Sequence, residues 1–196
     1  NAVGSNAVFN FCLKNKIKLI YSATSASLGN NGNDKNLSPY AFSKSKNLEL
    51  LENLKKWFNF KYEVIYFYNV YGPGQISKGK MATVIGIFED SFKNNKPLPV
   101  VLPGTQSRRF THIEDTIKVC YIAWKKGLSR HYSISNKETF SILQVAQMFK
   151  SKIIYLKKRP GERYSSALTK MNLSNKVYRY FGKVKLKDYI KNIIKK

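Results

Sequence analysis

Residues 21–44 read YSATSASLGNNGNDKNLSPYAFSK. The apolar run Ile17–Tyr21 (IKLIY) enters this stretch as a strand and ends in small hydroxyl residues. A polar loop rich in Gly and Asn follows, from Asn30 to Asn36. Ser38-Pro39 then opens a long helix, with a capping residue ahead of a proline in the first turn. Tyr40 stands 16 positions after Thr24, and Lys44 lies one helical turn beyond it. That i, i+4 spacing puts Tyr40 and Lys44 on one helix face.

A strand-end hydroxyl, a phenol and an ammonium make a proton-transfer set. A free phenol titrates near ~10 and is a poor base at neutral pH. A neighbouring ammonium, helped by a bound cationic nicotinamide, favours the phenolate. The hydroxyl of Thr24 can hydrogen-bond the same substrate oxygen. Such a set removes a proton from an alcohol while hydride leaves to a cofactor. Tyr121 and Lys125 repeat the Tyr-x-x-x-Lys spacing, but no hydroxyl strand precedes them, so they read as an ordinary helix surface.

Working outward, Ala7–Lys14 reads as the end of an amphipathic helix. After Tyr40, the residues Leu48, Leu51, Leu54, Trp57 and Phe58 recur at helical spacing and predict a strongly apolar face. Glu63–Tyr68 is a second strand, followed by Asn69 and the turn Gly72-Pro73-Gly74. Helices are expected over 81–93, 114–126, 141–150 (capped by Ser141) and 186–194. Extended segments are expected over 97–102, 131–134 and 153–156. The early alternation of helix and strand predicts an α/β fold with a parallel sheet, and the later half a smaller α+β lobe.

Composition narrows the function. The 196 residues are 43% hydrophobic and 14% aromatic, as in a globular chain. The two cysteines and two histidines have no metal-site spacing, so no metal is expected. A formal net charge of +24 would suit nucleic acid, but the basic residues are scattered along the chain, so nucleic acid is not the expected partner. No apolar run has the length of a membrane span, so no membrane partner is expected; Cys12 and Cys120 suit a reduced cytosol, and the reading is cytoplasmic.

The strand with its hydroxyls, SPY-x-x-SK at residues 38–44, and YNVYGP at residues 68–73 together resemble the extended short-chain dehydrogenase/reductases, the NAD-dependent nucleotide-sugar epimerase/dehydratase family. The opening Asn1-Ala2-Val3-Gly4-Ser5 is similar to that family's Asn-x-x-Gly-Thr helix start. The resemblance implies the C-terminal part of a Rossmann-like sheet over residues 1–75 and a nucleotide-sugar-binding lobe over 76–196. One strand and one helix of the lobe's segment return to the sheet. Chain start without Met and the lack of a Gly-x-x-Gly-x-x-Gly loop suggest that the sequence is an N-terminally shortened piece.

By the same resemblance the catalytic set is Thr24, Tyr40 and Lys44. Ser22 and the main chain of Phe67 line the nicotinamide, together with Tyr40 and Lys44, and Asn69 meets the substrate diphosphate. PGTQSRRFTHIED (103–115) resembles the family's Gly-Thr-x-x-Arg-Asp-Phe-x-His-x-x-Asp segment, so Arg108 is a phosphate contact and Arg109 replaces the usual Asp. KRPGE (158–162) places Arg159 on the diphosphate and Glu162 on the ribose hydroxyls. Ser25 and Ala26 stand where dehydratases and decarboxylases carry an extra acid or base. That leaves hydride removal and return: a UDP-sugar 4-epimerase using NAD, with NADP open. The alternatives are a 4-ketoreductase, a non-catalytic relative and, last, a basic nucleic-acid-binding protein. A homodimer built through the helix after Tyr40 is also expected.

Overall fold

A computed structural model describes residues 2–28, 36, 38–158 and 177–195. The chain forms two compact units. The first, the sheet unit, comprises Asn1–Phe67, Ile117–Ile134 and Ala167–Tyr180; the second, the lobe, comprises Tyr68–Thr116, Ser135–Ser166 and Phe181–Lys196.

The sheet unit opens with helix α1 (Ala2–Lys14), strand β1 (Leu19–Thr24) and a 3-10 turn over Ser25–Leu28. Helix α2 (Pro39–Phe58) starts where Ser38 accepts a hydrogen bond from the Ala41 amide and Pro39 takes the first turn. It stops at Asn59, which adopts a left-handed conformation at φ 52°. Strand β2 (Tyr62–Phe67) pairs parallel with β1, Thr24 opposite Phe67. Four of the helical residues expected to form one apolar stripe divide in pairs: Leu51 and Leu54 are buried, whereas Trp57 and Phe58 are exposed. The last turn of α2 carries these two rings clear of the sheet.

The lobe contributes β3 (Val70–Tyr71), α3 (Val84–Lys93), β4 (Leu98–Val101), β5 (Ser107–Arg109) and β6 (Thr111–His112). Helix α4 (Ile113–Lys126) leads back into the sheet unit, where β7 (His131–Ser135) pairs parallel with β2. The remaining elements are β8 (Thr139–Ser141), α5 (Ile142–Met148), β9 (Ile153–Leu156), β10 (Val177–Phe181) and α6 (Leu186–Ile194). The sheet order is β1-β2-β7-β10, with three two-stranded pairings in the lobe: β3-β6, β4-β9 and β5-β8. Helix α3 begins three residues later than its apolar pattern suggests, because the Thr83 hydroxyl caps it by accepting from the Gly86 amide.

Each unit has its own core. In the sheet unit Ile65, Val119, Ala123, Tyr132 and Ile134 pack together. In the lobe Phe88, Leu98, Val100, Phe110, Phe149 and Ile190 form the centre of a larger cluster. Gly72 has φ +145°, and a Cβ there would meet Ile113 Cγ2 at 2.6 Å, so this turn position needs glycine. Asp115 is buried and its Oδ2 accepts from the amides of Lys183 and Val184 at 2.9 and 3.0 Å, fixing the entry to α6.

His131 opens β7 buried, with its Nδ1 3.1 Å from the Tyr66 hydroxyl and the two rings stacked. Burial, with Lys55 adding repulsion, pushes its pKa down from 6.5 to about 4. The folded imidazole is therefore neutral where the unfolded one takes a proton. Stability is fully present above pH 6.5 and is lost as pH falls toward 4. Urea unfolding should show about 2 kcal/mol less stability at pH 5 than at pH 7 from this group. In His131→Gln that slope should flatten; an unchanged slope would assign the acid sensitivity elsewhere.

Candidate functional site

Of the residues singled out in the sequence, Thr24 and Phe67 sit at the C-terminal ends of β1 and β2, where parallel sheets place their ligands, and Tyr40 and Lys44 lie on α2. Thr24 is the last residue of β1, and its Oγ1 accepts from the Ala26 amide at 3.2 Å. Phe67 ends β2 directly beside it. Lys44, two turns into α2, donates from Nζ to the Ser22 carbonyl at 3.0 Å and lies 4.9 Å from the centre of the Tyr21 ring. Partial burial lowers its pKa from the ordinary lysine value. Tyr21 in turn accepts from Asn47 Nδ2 at 3.1 Å, and its own pKa is raised by burial, with the nearby Tyr40 adding to the effect. Tyr40 itself is 46% exposed at the start of α2, one turn before Lys44.

The structure thus brings Ser22, Thr24, Lys44 and Phe67 together, with Tyr40 on the helix face that carries Lys44. The anchoring is physical: the Ser22–Lys44 bond fixes a long, flexible side chain against the strand. An ammonium has three N–H donors, so one bond to a main-chain oxygen leaves donor capacity for a diol. That donor set fits the nicotinamide-ribose end of NAD. The pyrophosphate is not addressed by these residues, since the sequence has no Gly-x-x-Gly-x-x-Gly loop.

The lobe holds a cavity of about 360 Å³. Asn69, Thr83, Pro99, Gln106, Arg108 and Phe110 are among the residues lining it. Two residues singled out in the sequence, Asn69 and Arg108, meet here. Asn69 has φ 39°, a conformation Asn tolerates, and its Nδ2 donates to the Arg109 carbonyl at 2.8 Å. Arg108 is 9% exposed, its Nη1 donating to the Ser107 carbonyl at 2.9 Å. A cavity with a guanidinium, amides and aliphatic walls is a fit for an anionic ligand with a flat apolar part.

Arg109 points elsewhere. Its Nη1 donates to the carbonyls of Asn136 and Lys137, and burial lowers its pKa. It acts as a clamp on the loop before β8, which explains how an arginine occupies a position read as a departure. Gln106, 1% exposed, was missed in the sequence; its Nε2 donates to the Val101 and Leu102 carbonyls and so shapes the cavity wall. Only its place two residues before Arg108 could have drawn attention to it. Arg159 and Glu162 lie outside the described residues.

A sequence model of the NAD dependent epimerase/dehydratase family matches residues 1–135. A protein of Methanocaldococcus jannaschii that carries the name of UDP-glucose 4-epimerase is 33% identical over 135 residues, 65% of this chain and 43% of its own length. The chain therefore spans less than half of that relative. Among solved structures, the UDP-glucose 4-epimerase of Thermotoga maritima, solved with UDP-glucose, superposes with a TM-score of 0.84 at 22% identity, covering 98% of this chain and 67% of that one. A UDP-glucuronic acid 4-epimerase variant from Bacillus cereus, solved with NAD and a fluorinated UDP-sugar, gives a TM-score of 0.78 at 24% identity, covering 96% and 66%. These likenesses establish a Rossmann-type α/β fold, and the match over residues 1–135 places the chain in the NAD dependent epimerase/dehydratase family.

Proposed function

We propose that the protein is a nucleotide-sugar 4-epimerase that uses NAD and takes a UDP-sugar. The observation that carries this reading is the anchoring of Lys44 on Ser22 at the strand end, beside Thr24 and one helical turn from Tyr40. When bound, NAD supplies the acceptor and donor of hydride at sugar C4. Tyr40 Oη takes the proton of the C4 hydroxyl and gives it back to the keto oxygen after the sugar has turned. Thr24 Oγ1 holds that same oxygen and keeps it in line with Tyr40. The ammonium of Lys44, held on the Ser22 carbonyl, fits the ribose diol. Ser25 and Ala26 offer no second acid or base, which favours epimerisation over water loss. Ser22 and the Phe67 main chain are the proposed lining of the nicotinamide.

In the lobe, Arg108 is the proposed diphosphate contact, with Asn69 beside it. Arg159 and Glu162 are proposed to complete the grip on phosphate and ribose. Relatives and solved neighbours named as UDP-sugar 4-epimerases support the choice of nucleotide. Calorimetric titration with UDP tests the lobe's part directly. Arg108→Ala should weaken UDP binding by about tenfold or more, the loss of one charge-assisted contact. Arg108→Lys should recover only part of it. Equal affinity in all three proteins would remove Arg108 from the site. The reaction is tested by interconversion of UDP-glucose and UDP-galactose with added NAD, using protein expressed from its natural reading frame. Epimerisation without net NADH formation supports the reading; stoichiometric oxidation of NADH by a 4-keto sugar would make it a ketoreductase.

A further inference from the structure

The basic residues, scattered in chain order, are gathered by topology. In a parallel sheet every connection that enters a strand arrives at the same end. Three such connections meet at the N-terminal end of the sheet unit's strands, and each is basic. Before β1 come Lys14, Lys16 and Lys18; before β2, Lys55, Lys56 and Lys61; before β7, Lys125, Lys126 and Arg130. They are physically joined. Lys18 Nζ donates to the Trp124 carbonyl at 2.6 Å, the Leu19 amide to the Lys61 carbonyl at 3.0 Å, and the Val64 amide to the Arg130 carbonyl at 3.0 Å. No Asp or Glu occurs in residues 1–33, 53–62 or 116–137. The one carboxylate at the start of β2, Glu63, is fully buried and turned onto the Ser129 and Arg130 amides.

Large apolar side chains stand exposed among these cations. Trp57 and Phe58 are 62% and 60% exposed at the end of α2, and Trp124 is 58% exposed in the last turn of α4. Ile17 and Leu128 are exposed in the flanking loops. Lysines around protruding Trp, Phe and aliphatic groups match the chemistry of a bilayer interface, where rings enter the headgroup layer and ammonium groups meet anionic lipid.

We infer that this pole of the sheet unit docks on an anionic phospholipid surface. The docking is peripheral, since among the described residues no helix is long and apolar enough to cross a membrane. Thr24 and Phe67 lie at the opposite ends of their strands, away from the docking pole. The sequence reading of no membrane partner considered spans alone, and scattered lysines gave no sign of a pole. Nucleic acid could stack on Trp57, Phe58 and Trp124 but would leave the aliphatic Ile17 and Leu128 without a partner, which a bilayer interface would not, so it is the weaker match.

Vesicle cosedimentation tests this. The purified protein should pellet with vesicles of 70% phosphatidylcholine and 30% phosphatidylglycerol at 0.1 M NaCl, should not pellet with pure phosphatidylcholine, and should come off at 0.5 M NaCl (conditions approximate). Lys125→Glu with Lys126→Glu should reduce the partition about tenfold or more. Trp57→Ala with Phe58→Ala should do the same through lost apolar insertion. Both pairs are exposed, and unchanged circular dichroism will show that the fold is kept. Failure to pellet with anionic vesicles overturns the inference. So does full binding by the Trp57/Phe58 variant, which would reduce the effect to general polycation adhesion. Retention on poly(U) with no vesicle binding would reassign the pole to nucleic acid.

Discussion

Tyr40→Phe should lower kcat for UDP-sugar epimerisation by about a thousandfold while leaving UDP affinity unchanged. The magnitude follows from what a positioned acid–base group contributes, roughly 10² to 10⁴ in rate. The phenol oxygen is the only atom removed, and the ring stays at the exposed start of α2, so the fold should not respond. UDP affinity is the internal control, because the cavity proposed to take the nucleotide belongs to the lobe and Tyr40 to the sheet unit. Lys44→Met should also lower kcat, because the ammonium held on the Ser22 carbonyl and proposed to orient the cofactor ribose is gone. Activity in Tyr40→Phe within a fewfold of the natural protein would refute the assignment.

Glu63→Ala should destabilise the sheet unit by about 3 to 5 kcal/mol, the sum expected for two charge-assisted hydrogen bonds lost from a buried group. Glu63 is fully buried in β2. Its Oε1 accepts from the Ser129 amide at 2.8 Å and its Oε2 from the Arg130 amide at 2.9 Å. Ser129 adopts φ 50°, so this carboxylate holds the turn that feeds β7 into register beside β2. Truncation leaves two amides without partners and opens a cavity under the turn. Glu63→Gln keeps one acceptor and should cost about half as much. Urea unfolding followed by fluorescence measures both. A cost below about 1 kcal/mol for Glu63→Ala would mean that the turn is held by other contacts.

Much of this fold was legible because its longer elements obey local rules. Helix α6 spans the expected residues, and Ser38 and Ser141 mark the starts of α2 and α5 by their capping chemistry. What escaped has a physical cause. Strands β3, β5 and β6 are two or three residues long and carry no readable period. Trp57 and Phe58 look like core on a helical wheel, yet they lie at the helix end and are exposed among the described residues. Glu63 reads as an ordinary strand charge until the α4–β7 turn, 66 residues on at Ser129, closes over it.

The site shows the same division. The spacing of Thr24, Tyr40 and Lys44 is local and could be seen at once. The partner of Lys44 is a main-chain oxygen 22 residues earlier, which no sequence pattern encodes. Arg108 and Arg109 are adjacent in sequence, but strand β5 sends one to the cavity and the other to the loop at Asn136. The basic pole is the clearest case: only the parallel topology turns scattered lysines into one surface.

The central claim is hydride removal and return at sugar C4 under proton control by Tyr40. The most direct measurement is turnover of UDP-glucose deuterated at C4, with NAD, by protein expressed from its natural reading frame. The account predicts UDP-galactose that keeps its deuterium at C4 and takes none of the solvent's hydrogen there. Washout of the label at C4, or no product from a protein that binds both NAD and UDP, would contradict it.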